Sequence, residues 1–230
     1  MYVVVPTLRR IAPRLQGIEQ TGVRPGNPVI AQRMCMSFFS LEYSKTAHRA
    51  DFVLYGLLVA LLAAFLALYG PRAQLPAAAA AVLAGLAGWT AIEYVLHRFV
   101  LHGLQPFRRW HAVHHARPMD LIGTPTLVSA TLIASLVFLP ALALGNLWLA
   151  CGLTLGVLCG YLAYSITHHA THHSHGGSAW LKHLKRAHAL HHMRAERPGS
   201  YGVTSAFWDR LCGSAVQSRL PARAGSPNDA

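Results

Sequence analysis

Charge is what this sequence is short of. Charged residues make up 12% of the 230, about half the share usual for soluble globular domains, and only 8 residues are acidic. Apolar residues reach 53%. Such a balance argues against a chain whose whole surface meets water. Cysteine is sparse too: Cys35, Cys151, Cys159 and Cys212 show no CxxC spacing, and Cys151 and Cys159 lie inside an apolar run. This excludes a zinc-finger pattern and a disulfide framework. Met1 to Ala50 is polar and charged, with no apolar centre of the kind a secretory signal has. Lysine is scarce, 3 against 17 arginines, and alanine is abundant, a composition that points to a high-GC bacterial genome. The net charge of +12 invites a nucleic-acid reading. The positive residues flank long apolar runs instead, where they orient a chain in a membrane and meet anionic headgroups.

Those runs come next. Four stretches match the roughly 20 helical residues needed to cross about 30 Å of hydrocarbon: Phe52 to Tyr69, Leu75 to Leu96, Leu127 to Leu144 and Leu147 to Ile166. The first and third are short enough to need tilt or a thinned bilayer. Tyr69-Gly70-Pro71-Arg72 stops the first helix and turns the chain, and only Gly145-Asn146 separates the last two spans. Nineteen of the 20 Lys and Arg residues fall on one side, all but Arg72. The positive-inside rule makes that side the cytoplasm and puts both termini there. Pro6, Pro13, Pro25 and Pro28 make the N-terminal stretch irregular or disordered, and Met34 or Met36 is an alternative start.

Histidine is the residue in excess. Fourteen of 15 lie between His97 and His192, where even scattering would put about six. His97 and His102 end the second span. Five residues turn an ideal helix through about 140° past a whole turn, so the two share a face only if the helix ends or distorts between them. His111, His114 and His115 are spaced i, i+3, i+4, which places three imidazoles on one helical face. His168 and His172 are an i, i+4 pair continuing from the fourth span, and His188, His191 and His192 repeat the triplet. Ten neutral imidazoles suit iron, zinc or copper. A single ion takes at most about six ligands, so ten imply at least two ions. His169, His173, His175 and His183 break this register and read as neighbours of the ligands or as solvent-facing, and His48 reads as plain surface. Glu93 is the only acid within the four apolar stretches. Burying it requires a partner, and a hydrogen bond to a ligand histidine would supply one.

The order His-x4-His, His-x2-His-His, His-x3-His, His-x2-His-His resembles the fatty acid hydroxylase (sterol desaturase) superfamily, and within it the fatty acid 2-hydroxylase branch. Three phrases carry the resemblance: Glu93 to His102 (EYVLHRFVLH), Trp110 to Asp120 (WHAVHHARPMD), and Leu184 to Ser214, with LKRAHALHH followed by YGVTSAFWDRLCGS. It implies an all-α integral membrane protein of four transmembrane helices with a cytosolic helical cap carrying a dimetal site. The ligands it implies are His97, His102, His111, His114, His115, His168, His172, His188, His191 and His192. The crowded HHATHHSH run leaves His169 and His173 as alternatives to the third pair. Glu93, His169, His173, His183, Tyr201 and Asp209 are the expected supports of those ligands, and Arg98, Arg108, Arg109, Lys185, Arg186 and Arg194 the expected contacts to a substrate headgroup.

The expected chemistry is O2-dependent hydroxylation of a lipid acyl chain by a non-haem diiron centre, with C2 as the carbon. The expected cofactors are two iron ions (zinc being an alternative occupant in isolated protein) and O2 as co-substrate. No HPGG haem phrase occurs, so the expected electron source is a separate partner, a cytochrome b5-like protein or a ferredoxin with its reductase. The expected organisation is an irregular segment over 1–43, a membrane domain over 44–214 and a flexible tail over 215–230, in a bacterial inner membrane with the active site cytoplasmic. Sterol desaturation and carotenoid hydroxylation are alternatives within the superfamily. A metal transporter or metal-binding membrane protein is the alternative of another class. Transporters place ionisable ligands near the midplane, and here the middles of the spans hold no His, Asp or Glu.

Overall fold

The computed structural model describes residues 42–194 and 198–216. The expected irregular N-terminal segment, the alternative starts and most of the expected tail lie outside these residues. Helix dominates: α1 Lys45–Tyr69, α2 Leu75–Leu101, α3 Phe107–Ala116, α4 Thr126–Leu144, α5 Leu147–His173, α6 Ala179–Met193 and α7 Phe207–Leu211. Among the described residues there is no strand beyond an isolated bridge between Glu42 and Ile122.

Four of these helices, α1, α2, α4 and α5, are long and apolar enough to cross a membrane. Leu68, Leu127 and Leu144 expose 76%, 79% and 91% of their surface, which is tolerable when the neighbour is lipid. The fold class is the expected one, a four-span helical membrane protein with a histidine-rich helical cap. Its helices outrun the apolar stretches that announce them. α1 begins at Lys45, where the Ser44 hydroxyl accepts from the Ala47 amide at 3.1 Å and caps the first turn. α5 starts where the Asn146 side chain accepts from the Trp148 and Leu149 amides, and continues past Ile166 to His173. That extension lifts His168 and His172 out of the apolar zone on a rigid helix.

α5 is the central span: half of its most apolar 18 residues are buried inside the protein, against 11% of those of α1. Small residues let α2 and α5 come together: a Cβ on Gly156 would sit 2.1 Å from the Val82 carbonyl oxygen and 2.9 Å from the Gly85 Cα. Hydrophobic force is weak between helices in lipid, so close backbone approach of this kind does much of the packing. Leu66, Ala78, Cys151 and Leu155 form the buried core between α1, α2 and α5. α2 and α5 both end in histidines, and α3, α6 and the segment 198–216 close over that end.

Candidate metal centre

Each histidine group owes its aim to a local feature of the chain. The last turn of α2, Leu96–Leu101, is a π-helical turn, and the His102 amide bonds to the His97 carbonyl at 3.2 Å. Of the two outcomes the five-residue spacing leaves open, an end or a distortion, this i to i+5 closure is the distortion, and it leaves the two rings 5.1 Å apart. The triplets of α3 and α6 each straddle two positions. His97, His102, His111, His115 and His191 bring ring nitrogens within 4.8 Å of one another, and so do His114, His172, His188 and His192. His168 flanks the second group, its Nε2 3.2 Å from that of His114. The groups touch where His115 and His192 stack at 4.2 Å. All ten expected ligands therefore meet in one place.

Desolvation keeps these rings neutral. Burial lowers His111, His115 and His188 below the ordinary imidazole value, His102 to about 4, His192 to about 3, and His114 and His191 to about 2. Neighbouring histidines push most of them further down, because a proton on one ring repels a proton on the next.

Neutral rings alone leave the contacts unexplained. The His97 Nδ1 lies 2.5 Å from the Tyr201 carbonyl oxygen and the His191 Nδ1 lies 2.9 Å from that of Gly199. A carbonyl only accepts, so both rings carry their proton on Nδ1 and present a lone pair at Nε2. The Nε2 contacts then run from His97 to His111 at 3.1 Å, to His115 at 3.1 Å, to His191 at 3.2 Å and to His102 at 3.1 Å. With His97 and His191 accepting, His111 and His115 must both donate, and they face each other proton to proton. No set of neutral tautomers satisfies the chain, whereas a cation among the lone pairs does. Bonds of about 2.1 Å place adjacent nitrogens about 3.0 Å apart on an octahedral ion. Neither group contains a carboxylate, and an all-imidazole set suits iron, zinc or copper over magnesium or calcium. The residues fit a metal pair.

Around one side of the centre runs a strap, residues 198–216. Asp209, 1% exposed, accepts from the Tyr201 amide at 2.9 Å, the Gly202 amide at 2.7 Å and the Ser214 hydroxyl at 2.7 Å. Glu93 reaches the same strap from α2, accepting from the Val203 amide at 2.5 Å, the Thr204 amide at 2.9 Å and the Thr204 hydroxyl at 2.5 Å. The expected bond from Glu93 to a ligand histidine is thus corrected: its partners are strap groups, because those orphan N–H donors lie beside it in the apolar zone. Gly202 fits only as glycine, since a Cβ would meet the Ser205 carbonyl oxygen at 1.9 Å. The carbonyls of Gly199 and Tyr201 are not legible in the sequence, because backbone oxygens carry no residue signature.

The remaining expected residues divide. His169 and His173 stack on each other at 4.5 Å and turn away from the ligands. His169 Nδ1 lies 3.1 Å from His48 Nε2, so His48 is not plain surface but half-buried against Phe52 and His169. His183 is exposed and does not support the ligands; it lies on the outer face of α6. Arg98 donates to the Tyr94 hydroxyl and lies 5.8 Å from the Tyr201 ring centre, which in turn sits 5.7 Å from His97. Arg108, Arg109, Arg186 and Arg194 are exposed. The Lys185 ammonium is occupied by the carbonyls of Ser174 and Gly176, closing the turn after α5.

A family model, fatty acid hydroxylase, matches residues 82–214, more than half of the chain and all of the histidine centre. The chain belongs to the fatty acid hydroxylase family. Its relatives in that family include a dihydroceramide fatty acyl 2-hydroxylase of Arabidopsis thaliana, 36% identical over 141 residues, covering 56% of this chain and 58% of its own. A ceramide very long chain fatty acid hydroxylase of Saccharomyces cerevisiae is 35% identical over 154 residues, covering 60% of this chain and 38% of its own. The chain thus spans less than two thirds of either relative. A solved structure, full-length scs7p with only the hydroxylase domain visible, superposes with a TM-score of 0.63 at 26% identity, over 78% of this chain and 69% of that one. The resemblance carried by the three phrases is borne out, including its 2-hydroxylase branch.

Proposed function

We propose that this fatty acid hydroxylase family member hydroxylates a lipid acyl chain, at C2, with a non-haem diiron centre held by His97, His102, His111, His114, His115, His168, His172, His188, His191 and His192. The observation that carries the reading is the chain of imidazole contacts no neutral tautomer set satisfies. Alkyl C–H bonds are neither acidic nor electrophilic, so side chains alone cannot attack them, and a cofactor must supply the oxidation. A bound iron pair supplies O2 activation and removal of a hydrogen atom from unactivated carbon. The overall reaction takes one O2, two electrons and two protons, putting one oxygen atom into the chain and releasing the other as water.

The protein's own contributions are ligation, orientation and dryness. His97 and His191 are held in one tautomer by carbonyls, so their Nε2 atoms point inward before any ligand arrives. The rings are buried at the bilayer-facing end of the cap, where an acyl chain dissolved in the membrane can present a carbon to them while water is excluded. The names of the plant and yeast relatives, an acyl 2-hydroxylase and a ceramide hydroxylase, support an acyl chain in amide linkage as substrate. Of the six expected headgroup residues, Arg98 reaches the Tyr201 ring beside His97, and we assign it the headgroup or the acyl carbonyl. Two electrons per turnover come from a cytochrome b5-like or ferredoxin-type donor. The distribution of positive charge supports a cytoplasmic active site, and the arginine-rich composition supports a bacterial inner membrane.

Lipid profiling by mass spectrometry tests the function. Cells expressing the wild-type chain are expected to contain 2-hydroxyacyl lipids that a deletion strain lacks. H111A or H191A should reduce them by more than 100-fold. Unchanged product in both variants removes the mechanism.

A further inference from the structure

The two histidine groups are not equivalent, and the difference lies behind the rings. In the group of His97, His102, His111, His115 and His191, two ligands have their Nδ1–H engaged by strap carbonyls. In the group of His114, His172, His188 and His192, three of the four, His114, His188 and His192, have a buried Nδ1 with no hydrogen-bond partner. An acceptor behind a ligating imidazole fixes its tautomer, holds its plane and raises its basicity. A buried N–H without an acceptor does none of this and leaves a donor unsatisfied, which is itself unfavourable.

We propose that the strap makes the metal positions unequal. The position of His97 and His191 binds tightly and exchanges slowly, and the position of His114, His188 and His192, which His168 flanks, binds weakly and exchanges fast. Asp209 and Glu93 are positioning residues for the tight one, acting through the carbonyls of Tyr201 and Gly199. This rests on the reading of the centre as a metal pair.

The mechanical chain is short. Asp209 grips the amides of Tyr201 and Gly202 from behind, and Glu93 grips those of Val203 and Thr204. Between them the peptide that bears the Tyr201 carbonyl has little freedom to rotate away from His97. The Gly199 carbonyl is tied down further along the same strap, since the adjacent Ser200 amide bonds to the Ser214 carbonyl at 2.9 Å and the Ser214 hydroxyl returns to Asp209. Both acidic residues thus act at a distance on the orientation of two imidazoles, without touching a ligand ring themselves.

The test uses the full chain in detergent micelles, loaded with two equivalents of zinc(II) and challenged with a chelator while retained zinc is counted by mass spectrometry. Two release phases of one equivalent each are expected, separated by about 10–100-fold in rate, the scale on which outer partners act. H172A should remove the fast phase and keep the slow one. D209N turns an amide nitrogen toward a strap N–H, and E93A removes the second grip; each should quicken the slow phase about 10-fold or more and leave the fast phase alone. E93Q keeps an acceptor for the Val203 and Thr204 amides and should restore the slow phase, which a loss of charge or a general loosening would not. Release of both zinc ions in one phase, loss of the slow phase in H172A, equal acceleration of both phases by D209N, or E93Q behaving as E93A would each overturn the proposal. Two equal ions would leave the hydroxylase reading intact. Two unequal ions in a protein that hydroxylates nothing would uphold the inequality and end that reading. Failure to retain any zinc would end both.

Discussion

At the scale of single residues, the imidazoles were legible and their partners were not. The periodicity of His111, His114 and His115 and of His188, His191 and His192 announces one face on each of two helices. It does not announce that each triplet divides between two positions, because that depends on where the facing helix lies. Glu93 was legible as a buried acid in need of a partner. The partner proved to be a strap 110 residues away in sequence, and no local pattern encodes such a contact. The same burial gives a pH prediction. His102 and His191 titrate at about 4 and about 2 in the folded protein, against about 6.5 in an unfolded chain. Between those values the unfolded chain binds more protons, so stability rises with pH across the window and is lost as pH falls through it. Metal competes for the same lone pairs. Lowering pH from 7.5 to 5 is expected to release metal and to lower the melting temperature of the metal-free protein, measured by scanning fluorimetry in detergent. A melting temperature that climbs on acidification would contradict the neutral assignment.

At the scale of elements, hydropathy locates the spans and underestimates them. Apolar runs end where lipid ends, but α5 continues seven residues past Ile166 to His173, because helical hydrogen bonding does not stop at the bilayer boundary. That continuation separates the candidates for the third pair in space: on an unbroken helix His168 and His172 lie against the other histidines of the centre, while His169 and His173 stack on each other beside His48. The π turn at Leu96–Leu101 was half legible, since the spacing of His97 and His102 requires either an end or a distortion and does not say which. A π turn is in effect one extra residue in an α-helix. Deleting Val100 should return the turn to α geometry and swing His102 by about 100°. The expected result is retention of about one metal ion per chain in place of two, counted by mass spectrometry, and loss of hydroxylated lipid. Two retained ions and full activity would show that the π turn is incidental.

At the scale of the whole molecule, four apolar helices carry a cap in which every group of ligands is placed at or beyond a helix end. That arrangement was legible from charge and hydropathy together: the arginines and the histidines crowd the same ends of the spans. The course of the strap was not, since it is set by its contacts to Thr90, Glu93, Tyr94, His97 and His191 and to itself, and such contacts leave no periodic trace. If the charge distribution fixes orientation, a reporter fused after Tyr69 should be active only when exported, and one fused after Met193 only when cytoplasmic. The opposite pattern would place the centre on the other face and deny it a cytoplasmic electron donor.

The claim on which the rest stands is that this centre inserts oxygen from O2 into an acyl chain. Purified protein loaded with iron, supplied with a reductant system and a ceramide or acyl lipid under 18O2, addresses it directly through mass spectrometry of the product. The account predicts one 18O atom in a hydroxyl at C2 of the acyl chain with the wild-type protein and none with H111A. A hydroxyl carrying oxygen from water, or equal labelling in H111A, would contradict it.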